Sequence, residues 1–430
     1  MSSMTANLAR TAGATFAAAM ILASVPAVAQ QAPEIPQVEV RFAHFPYFDH
    51  TQSIIGLEKG WFEEVGITFV PDNMGIVVNA EDASAVFASG RVDVMSASAQ
   101  LFLPAAKTLP AYKVFFYADI FQGYAIMAQP DSGATSFQEF LADGLSADDA
   151  FVATIEQMRG QRFAFPTEAA IKGFIDLAIQ KGGMTLADVD TVGAPGDSAN
   201  VAMMQAGRAD FQVGGVPSRM TLQIDGFKPI LSSGDLAAYA APSTDSTELR
   251  AVFHDGWVAS DAWIEENYQT VLRLASVGFR INDFINAEPE AAAAIHTPFL
   301  NSVAGTNFGN DVAEFAYADL HPFWNFDEQE GWNNDADNPL NGQYVIGSAI
   351  KLYEEQGLFE PGEFTWDRFT IAHEVYNDLV DYRTRADALF ADLEGRDLSP
   401  EASALLERAQ EFYDAYNFLD AHRFAEAAAG

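Results

Sequence analysis

Val38-Glu39-Val40-Arg41-Phe42 alternates apolar and polar positions with a period of two, the pattern of a half-buried strand. A polar and aromatic loop follows, then a helical stretch from about Thr51 to Lys59 that stops at Gly60, and Ile67-Thr68-Phe69-Val70 reads as a second strand. A helix over about 81–89 ends at Gly90, and Arg91-Val92-Asp93-Val94 leads into a third strand. The same order returns from residue 162. It begins with the strand Arg162-Phe163-Ala164-Phe165 and a helix capped by Thr167 and closed by Gly182 and Gly183. A short strand at 190–192, a helix capped by Asp197 and stopped at Gly207, and a strand opened by Arg208-Ala209-Asp210-Phe211 complete it. Both passages carry Lys-Gly (59–60 and 181–182) and Gly-Arg-x-Asp (90–93 and 207–210).

Strands alternating with helices imply parallel sheets joined by right-handed crossovers, and two such units in one chain imply two lobes. Ligands of open α/β sheets bind beyond the carboxyl ends of the strands, so the duplication predicts one cleft between the lobes. The rest of the chain reads as helical over about 260–295, as a loop rich in Trp, Asn, Asp and Gly over 323–343, and as helical again to the end. Ser399-Pro400-Glu401 is a helix start, and Tyr413, Tyr416 and Phe418 beyond it are expected to face a core.

The first residues differ from this pattern. One basic residue, Arg10, precedes an apolar stretch from about Gly13 to Val25 and then Ala27-Val28-Ala29, the layout of a secretory signal peptide cut after Ala29. A membrane anchor is the alternative, but the apolar run is short for a bilayer span. The chain is expected in the periplasm, with no membrane insertion. It has no cysteine, which excludes a lipid-anchoring cysteine, thiolate metal sites and a cysteine nucleophile. Net charge is −37, with 23 basic against 60 acidic residues, so nucleic-acid binding is excluded. Apolar residues make up 49%, enough for a folded core in a chain of 430 residues.

The loops at the predicted strand tips hold the candidate ligand contacts. After the first strand come His44, Phe45, Tyr47, Phe48, Asp49, His50 and Thr51, and after Val94 come Ser96, Ser98 and Gln100. A strand near 114–117 leads to Asp119, Phe121, Gln122 and Tyr124. The second unit offers Thr167, Glu168, Asp197, Ser198, Gly214, Gly215, Ser218 and Arg219, and a return strand brings Asp255 and Trp257 to where they could face the cleft. These loops are aromatic and acidic, which suits cations and flat heterocycles. Helix N-termini at Thr51, Thr167 and Asp197 leave small anions open. No G-x-S-x-G, H-E-x-x-H, Walker A or dinucleotide motif occurs, so no catalytic residue, cofactor or metal is assigned. His44 and His50 are close in sequence, and Asp327, Asp335 and Asp337 form an acidic stretch that does not follow the EF-hand order.

Three motifs carry a family resemblance. Gly56-Leu57-Glu58-Lys59-Gly60-Trp61-Phe62-Glu63 with Gly66-Ile67 resembles the opening of ABC-importer substrate-binding proteins of the nitrate/sulfonate/taurine type and their thiamine-pyrimidine-precursor relatives. Ala88-Ser89-Gly90-Arg91-Val92-Asp93 and Gly256-Trp257-Val258-Ala259 resemble later motifs of that family. The resemblance runs from about 36 to 300 and more loosely to 380; Gly215-Val216-Pro217 stands where the family often has Trp-Glu-Pro. It implies an α/β, two-lobed type II periplasmic binding fold with a C-terminal helical extension, closing on its ligand at crossings near 126–135 and 240–255. Residues 36–130 with 252–350 are then one lobe, 131–251 the other, and 351–430 a helical segment packed on them. The implied role is capture of a small solute for an ABC permease by a monomer. The ligand reading leans to a nitrogen-containing aromatic or cationic metabolite, with sulfonate, taurine or nitrate second. A periplasmic sensor partner, or a pyrimidine-synthase-like enzyme on the same fold, are the alternatives.

Overall fold

The computed structural model describes residues 32–430 except 168, 195, 241–248 and 250; the expected signal peptide at 1–29 lies outside the described residues. Two sheets organise the chain. The first contains β1 (Val38–His44), β2 (Ile67–Val70), β3 (Ile76–Val77), β4 (Val94–Ser96), β5 (Tyr112–Phe121) and β11 (Phe253–Ser260), in the order β2-β1-β4-β11-β5 with β3 also beside β1. The second contains β6 (Ala125–Ala128), β7 (Arg162–Ala164), β8 (Asp190–Thr191), β9 (Phe211–Gly214) and β10 (Lys228–Ser232), in the order β10-β6-β9-β7-β8.

The duplication in the sequence is a duplication in space. β1 pairs in parallel with β2 and β4, and β7 pairs in parallel with β8 and β9. Each Gly-Arg-x-Asp motif does the same work. Its glycine ends a helix in the left-handed region (Gly90 φ 66°, Gly207 φ 66°), where a Cβ is disfavoured. Its aspartate clamps the first strand of its own lobe. Asp93 Oδ2 accepts from the backbone N–H and the Nε of Arg41, both at 2.9 Å. Asp210 Oδ2 accepts from the backbone N–H and the Nε of Arg162 at 2.9 and 3.0 Å. The arginines are roughly half exposed, so each clamp contributes register more than stability.

In each lobe the fourth strand runs antiparallel and is delivered by the chain crossing between lobes. β5 passes into β6 through only Gln122–Tyr124, and β11 returns beside β4 and β5. The first crossing is therefore earlier than the expected 126–135, because Ala125 already pairs with Gly214 in the second sheet. The second crossing falls partly on residues outside the description.

Helices cover both faces of the first sheet, so its strand ends are buried on both sides. Phe42 stacks on Phe69 at 4.3 Å, and the helix Tyr268–Ala287 buries most of its length against β5. Beyond it, Thr370 bridges the outer edge of β5 at Val114. The last helices, Ala372–Leu393, Pro400–Asp414 and Phe418–Ala429, pack on one another and on the helix Tyr268–Ala287. Phe418 is buried there, with Tyr413 and Tyr416 against the same core, as their spacing predicted. The 323–343 stretch is mostly irregular but packed, with Trp324 stacked on the buried Trp332 at 4.4 Å. Asp327 in it pairs with Arg383. Among the described residues no helix is long and apolar enough to cross a membrane.

Candidate functional site

A cavity lies where the tips of the two sheets meet. From the first lobe it is lined by Phe45, Tyr47, Asp49 and His50 beyond β1, by Ala80, Ser98 and Leu101, and by Phe121 and Phe253 at the ends of β5 and β11. From the second lobe come Tyr124, Ile171, Asp197, Gly215 and Val216. Its volume is about 30 Å³, room for about two water molecules. Tyr47 and Asp197 also border a wider outer groove of about 670 Å³ that carries Glu81 and Asp82. Among the described residues neither space has a lysine or arginine in its lining.

Asp49 and His50 of this wall join residues behind it in a buried polar cluster. Asp49, His50, Asp119, Asp255 and His321 are all buried. His50 Nε2 lies 3.3 Å from Asp49 Oδ2 and 3.5 Å from Asp255 Oδ1, while its Nδ1 is 3.2 Å from Ser96 Oγ. Asp119 faces Asp255 across the β5–β11 ladder, and its Oδ2 is 3.4 Å from His321 Nδ1. Burial pushes the Asp119 carboxyl up to about 6, with His321 opposing. Burial also raises Asp49, but the charges of His50 and His321 and a hydrogen bond with Asp255 outweigh it and hold the group below its ordinary value. Burial drives His50 down, with the charge of Asp49 opposing. Across the cavity, burial lifts Asp197 to about 6 although Ser218 donates to it at 2.7 Å.

A second chain of hydrogen bonds holds the cavity loop. Tyr317 Oη is 2.8 Å from His296 Nδ1, His296 Nε2 is 2.6 Å from Thr51 Oγ1, and Thr51 Oγ1 is 3.0 Å from the Tyr47 carbonyl. The arrangement fits a neutral His296 that accepts from Tyr317 and donates to Thr51, whose hydroxyl donates to Tyr47. Phe48 packs on the His296 ring at 4.7 Å. His44, by contrast, does not meet His50 ring to ring; it contacts the Met74 carbonyl and Ser53.

Of the residues expected at the ligand, Phe45, Tyr47, Asp49, His50, Ser98, Phe121, Tyr124, Asp197 and Gly215 reach the cavity. Phe48, Thr51, Ser96, Asp119 and Asp255 stand behind it and position that wall. The other described ones lie elsewhere in the fold. Trp257 is fully buried in the first-lobe core, 5.0 Å from Phe116 and 5.9 Å from Phe42. The strand register slips at Asp255/Gly256, so period-two counting from Asp255 does not carry to Trp257. Arg219 turns away, its Nε on Gln223 and an Nη near the Gly123 carbonyl, and burial lowers it to about 10. Gln122 lies in the crossing, its backbone N–H on the Leu320 carbonyl, and Thr167 is exposed. Asp197 is the first helical residue rather than its cap, which frees its carboxylate for the cavity. Glu168 lies outside the described residues. Sequence reading missed Leu101, Ile171 and Ala80, which are ordinary apolar residues, and His296 and His321, which enter from the helix Pro289–Ala304 and from the chain just beyond the helix Asn310–Asp319, more than 240 residues downstream of His50.

Paired α/β lobes meeting at their strand tips define the architecture of two-lobed solute-binding proteins. No family model matches the chain, and no curated protein sequence is similar to it at a significant level. Solved structures do share its fold. A putative sulfonate ABC transporter periplasmic sulfonate-binding protein from Methylobacillus flagellatus superposes with a TM-score of 0.55 at 15% identity, covering 84% of this chain and 96% of that one. The ligand-binding component of an ABC-type import system from Staphylococcus aureus, solved with zinc bound, gives 0.55 at 12% identity over 80% and 99%. The desulfurization enzyme DSZB gives 0.51 at 12% identity over 80% and 100%, so the fold also serves an enzyme. The fold implied by the three sequence motifs is thus the fold observed.

Proposed function

We propose that the chain is an exported solute-binding protein that captures a small molecule between its lobes and presents it to an ABC permease. The observation that carries this reading is the cavity itself, walled by residues of both lobes and sharing Tyr47 and Asp197 with an outer groove. A site shared by two lobes that are joined by short crossings responds to a ligand by closing, and closure is a state that a permease can recognise. The volume of about 30 Å³ belongs to lobes already close together, so capture of a larger solute requires them to part.

The lining selects the solute class. Rings of Phe45, Tyr47, Phe121, Tyr124 and Phe253 offer flat apolar faces, and Asp49 and Asp197 offer negative charge. A nitrogen-containing aromatic or cationic metabolite fits this wall. A bare sulfonate or nitrate would meet carboxylates with no basic side chain to balance them. Export to the periplasm rests on the N-terminal sequence pattern, and action as a monomer is part of the same reading.

A thermal-shift panel of amines, pyrimidines, betaines, sulfonates and nitrate tests it. A ligand at 100 times its Kd adds about 2.7 kcal/mol, which for about 400 residues raises Tm by about 3 °C. Tyr124→Ala and Asp197→Asn should each remove that response. Absence of any response across all classes in the wild type overturns the reading, and a response to sulfonates alone overturns the solute class.

A further inference from the structure

We infer that Asp49, His50 and Asp255 form a binding site for one divalent transition-metal ion of the zinc type, at the inner wall of the cavity. This goes beyond the solute-capture reading and does not depend on which solute is captured. The three groups bring one nitrogen and two carboxylate donors to a single point, all within 4.8 Å of one another.

The spacing is the first argument. His50 Nε2 stands 3.3 and 3.5 Å from the two carboxylate oxygens, beyond the usual N–H···O range of about 2.7–3.2 Å. Donors at about 2.0–2.2 Å from a common tetrahedral ion are separated by about 3.3 Å. The two distances are therefore long for hydrogen bonds and right for ligands of one metal. The second argument is orientation. Ser96 Oγ sits 3.2 Å from His50 Nδ1, so Ser96 can accept from Nδ1–H. In that tautomer the Nε2 lone pair and both carboxylates face one point, where a cation would satisfy all three. The third is an orphan on the same carboxylate: Asp49 Oδ1, beside the Oδ2 that faces His50, is buried without a hydrogen-bond partner, on a residue only 3% exposed. Such an atom is costly in a dry site unless something positive satisfies it.

The donor set also selects the ion. An imidazole with two carboxylates suits Zn²⁺, Co²⁺ or Ni²⁺, whereas Ca²⁺ and Mg²⁺ prefer oxygen alone. Asp49 and His50 line the cavity and Asp255 lies behind them, so a fourth position opens inward. Water fills it in the resting protein, and a nitrogen or oxygen donor of the solute replaces it. Asp197 on the opposite wall stays available for a cationic group.

The test uses purified protein stripped with chelator and titrated with Zn²⁺ alone, in a millimolar excess of Mg²⁺ that saturates the many surface acids. One equivalent should bind with a Kd of about 1 μM or tighter, and Co²⁺ in its place should give visible absorption bands of a four- or five-coordinate site. His50→Gln and Asp49→Asn should each weaken Zn²⁺ by about 100-fold or more. Ser96→Ala, which removes only the orienting contact, should weaken it by about 10-fold or more while Tm holds. That variant keeps the test decisive should the others fold poorly. No saturable uptake above the Mg²⁺ background, or uptake unchanged in Ser96→Ala and the ligand variants, overturns the site. A solute response in the stripped protein with no Zn²⁺ uptake ends this inference and leaves solute capture standing. Zn²⁺ uptake with no solute response does the reverse.

Discussion

Asp420→Ala tests how the C-terminal helices are joined to the first lobe. Asp420 is fully buried and receives Arg273 Nε and Nη2 at 2.8 and 2.9 Å in a two-pronged pair. Asn417 donates to it at 2.8 Å and Arg423 at 2.6 Å. Arg273 is only 2% exposed, on the helix Tyr268–Ala287 beneath the first sheet. Removing the carboxylate therefore leaves a guanidinium that cannot reach water. Breaking one side of such a buried pair costs about 3–5 kcal/mol, most of it the stranded charge. With an unfolding entropy of about 2 cal/mol/K per residue over about 400 residues, Tm should fall by about 4–6 °C. Replacing both partners, as Arg273→Met with Asp420→Leu, removes the stranded charge and should recover most of the loss. Chemical denaturation and calorimetry on the three proteins read these values. Because the pair is remote from the cavity lining, solute response should survive in both variants. A loss under 1 kcal/mol in Asp420→Ala, or no recovery in the double variant, would refute the claim that a desolvated charge pair docks these helices.

Three shorter predictions follow from the same packing. Trp257→Ala should cost about 3–5 kcal/mol through the cavity it leaves in the first-lobe core, so a lost solute response in that variant would be accompanied by a clear fall in Tm; an unchanged Tm would contradict its burial. Gly256→Ala should be at least as damaging, since a Cβ there meets the Phe116 carbonyl oxygen at 1.9 Å, and a normal yield and Tm would show that the β11–β5 bulge yields. Burial lowers His296 to about 3, so its folded-state pKa is depressed and its contribution, complete above the unfolded value near 6.5, is lost as pH falls toward 3. By pH 5 that loss is about 2 kcal/mol, and His296→Gln should flatten the stability profile between pH 7.5 and 5 by that amount; equal slopes would mean that His296 titrates freely when folded.

The two-lobe plan was legible in the sequence because the signals that report it are local. Period-two strands, glycine helix stops and a repeated Gly-Arg-x-Asp each depend on a few neighbouring residues, and each lobe's clamp, Arg41 to Asp93 and Arg162 to Asp210, uses residues that the repeat had already aligned. The crossing was misplaced because β5 and β6 are both apolar and almost continuous, so only the pairing of Ala125 with Gly214 shows where one sheet ends. The cavity loop after β1 was likewise found by its position at a strand tip. Its function, however, depends on partners that no spacing rule connects to it. His50 takes its meaning from Ser96 and Asp255, and Thr51 from His296, at separations of up to 245 residues. Trp257 marks the opposite error, because an aromatic near a strand tip looks the same in sequence whether it faces a ligand or a core. The bulge beside Gly256 decided between them, and a bulge is set by the whole ladder rather than by the residues at it. The chemistry of this site thus resides in contacts between lobe-building segments, which is why the fold could be read first and the contacts of the cavity wall only after the segments were brought together.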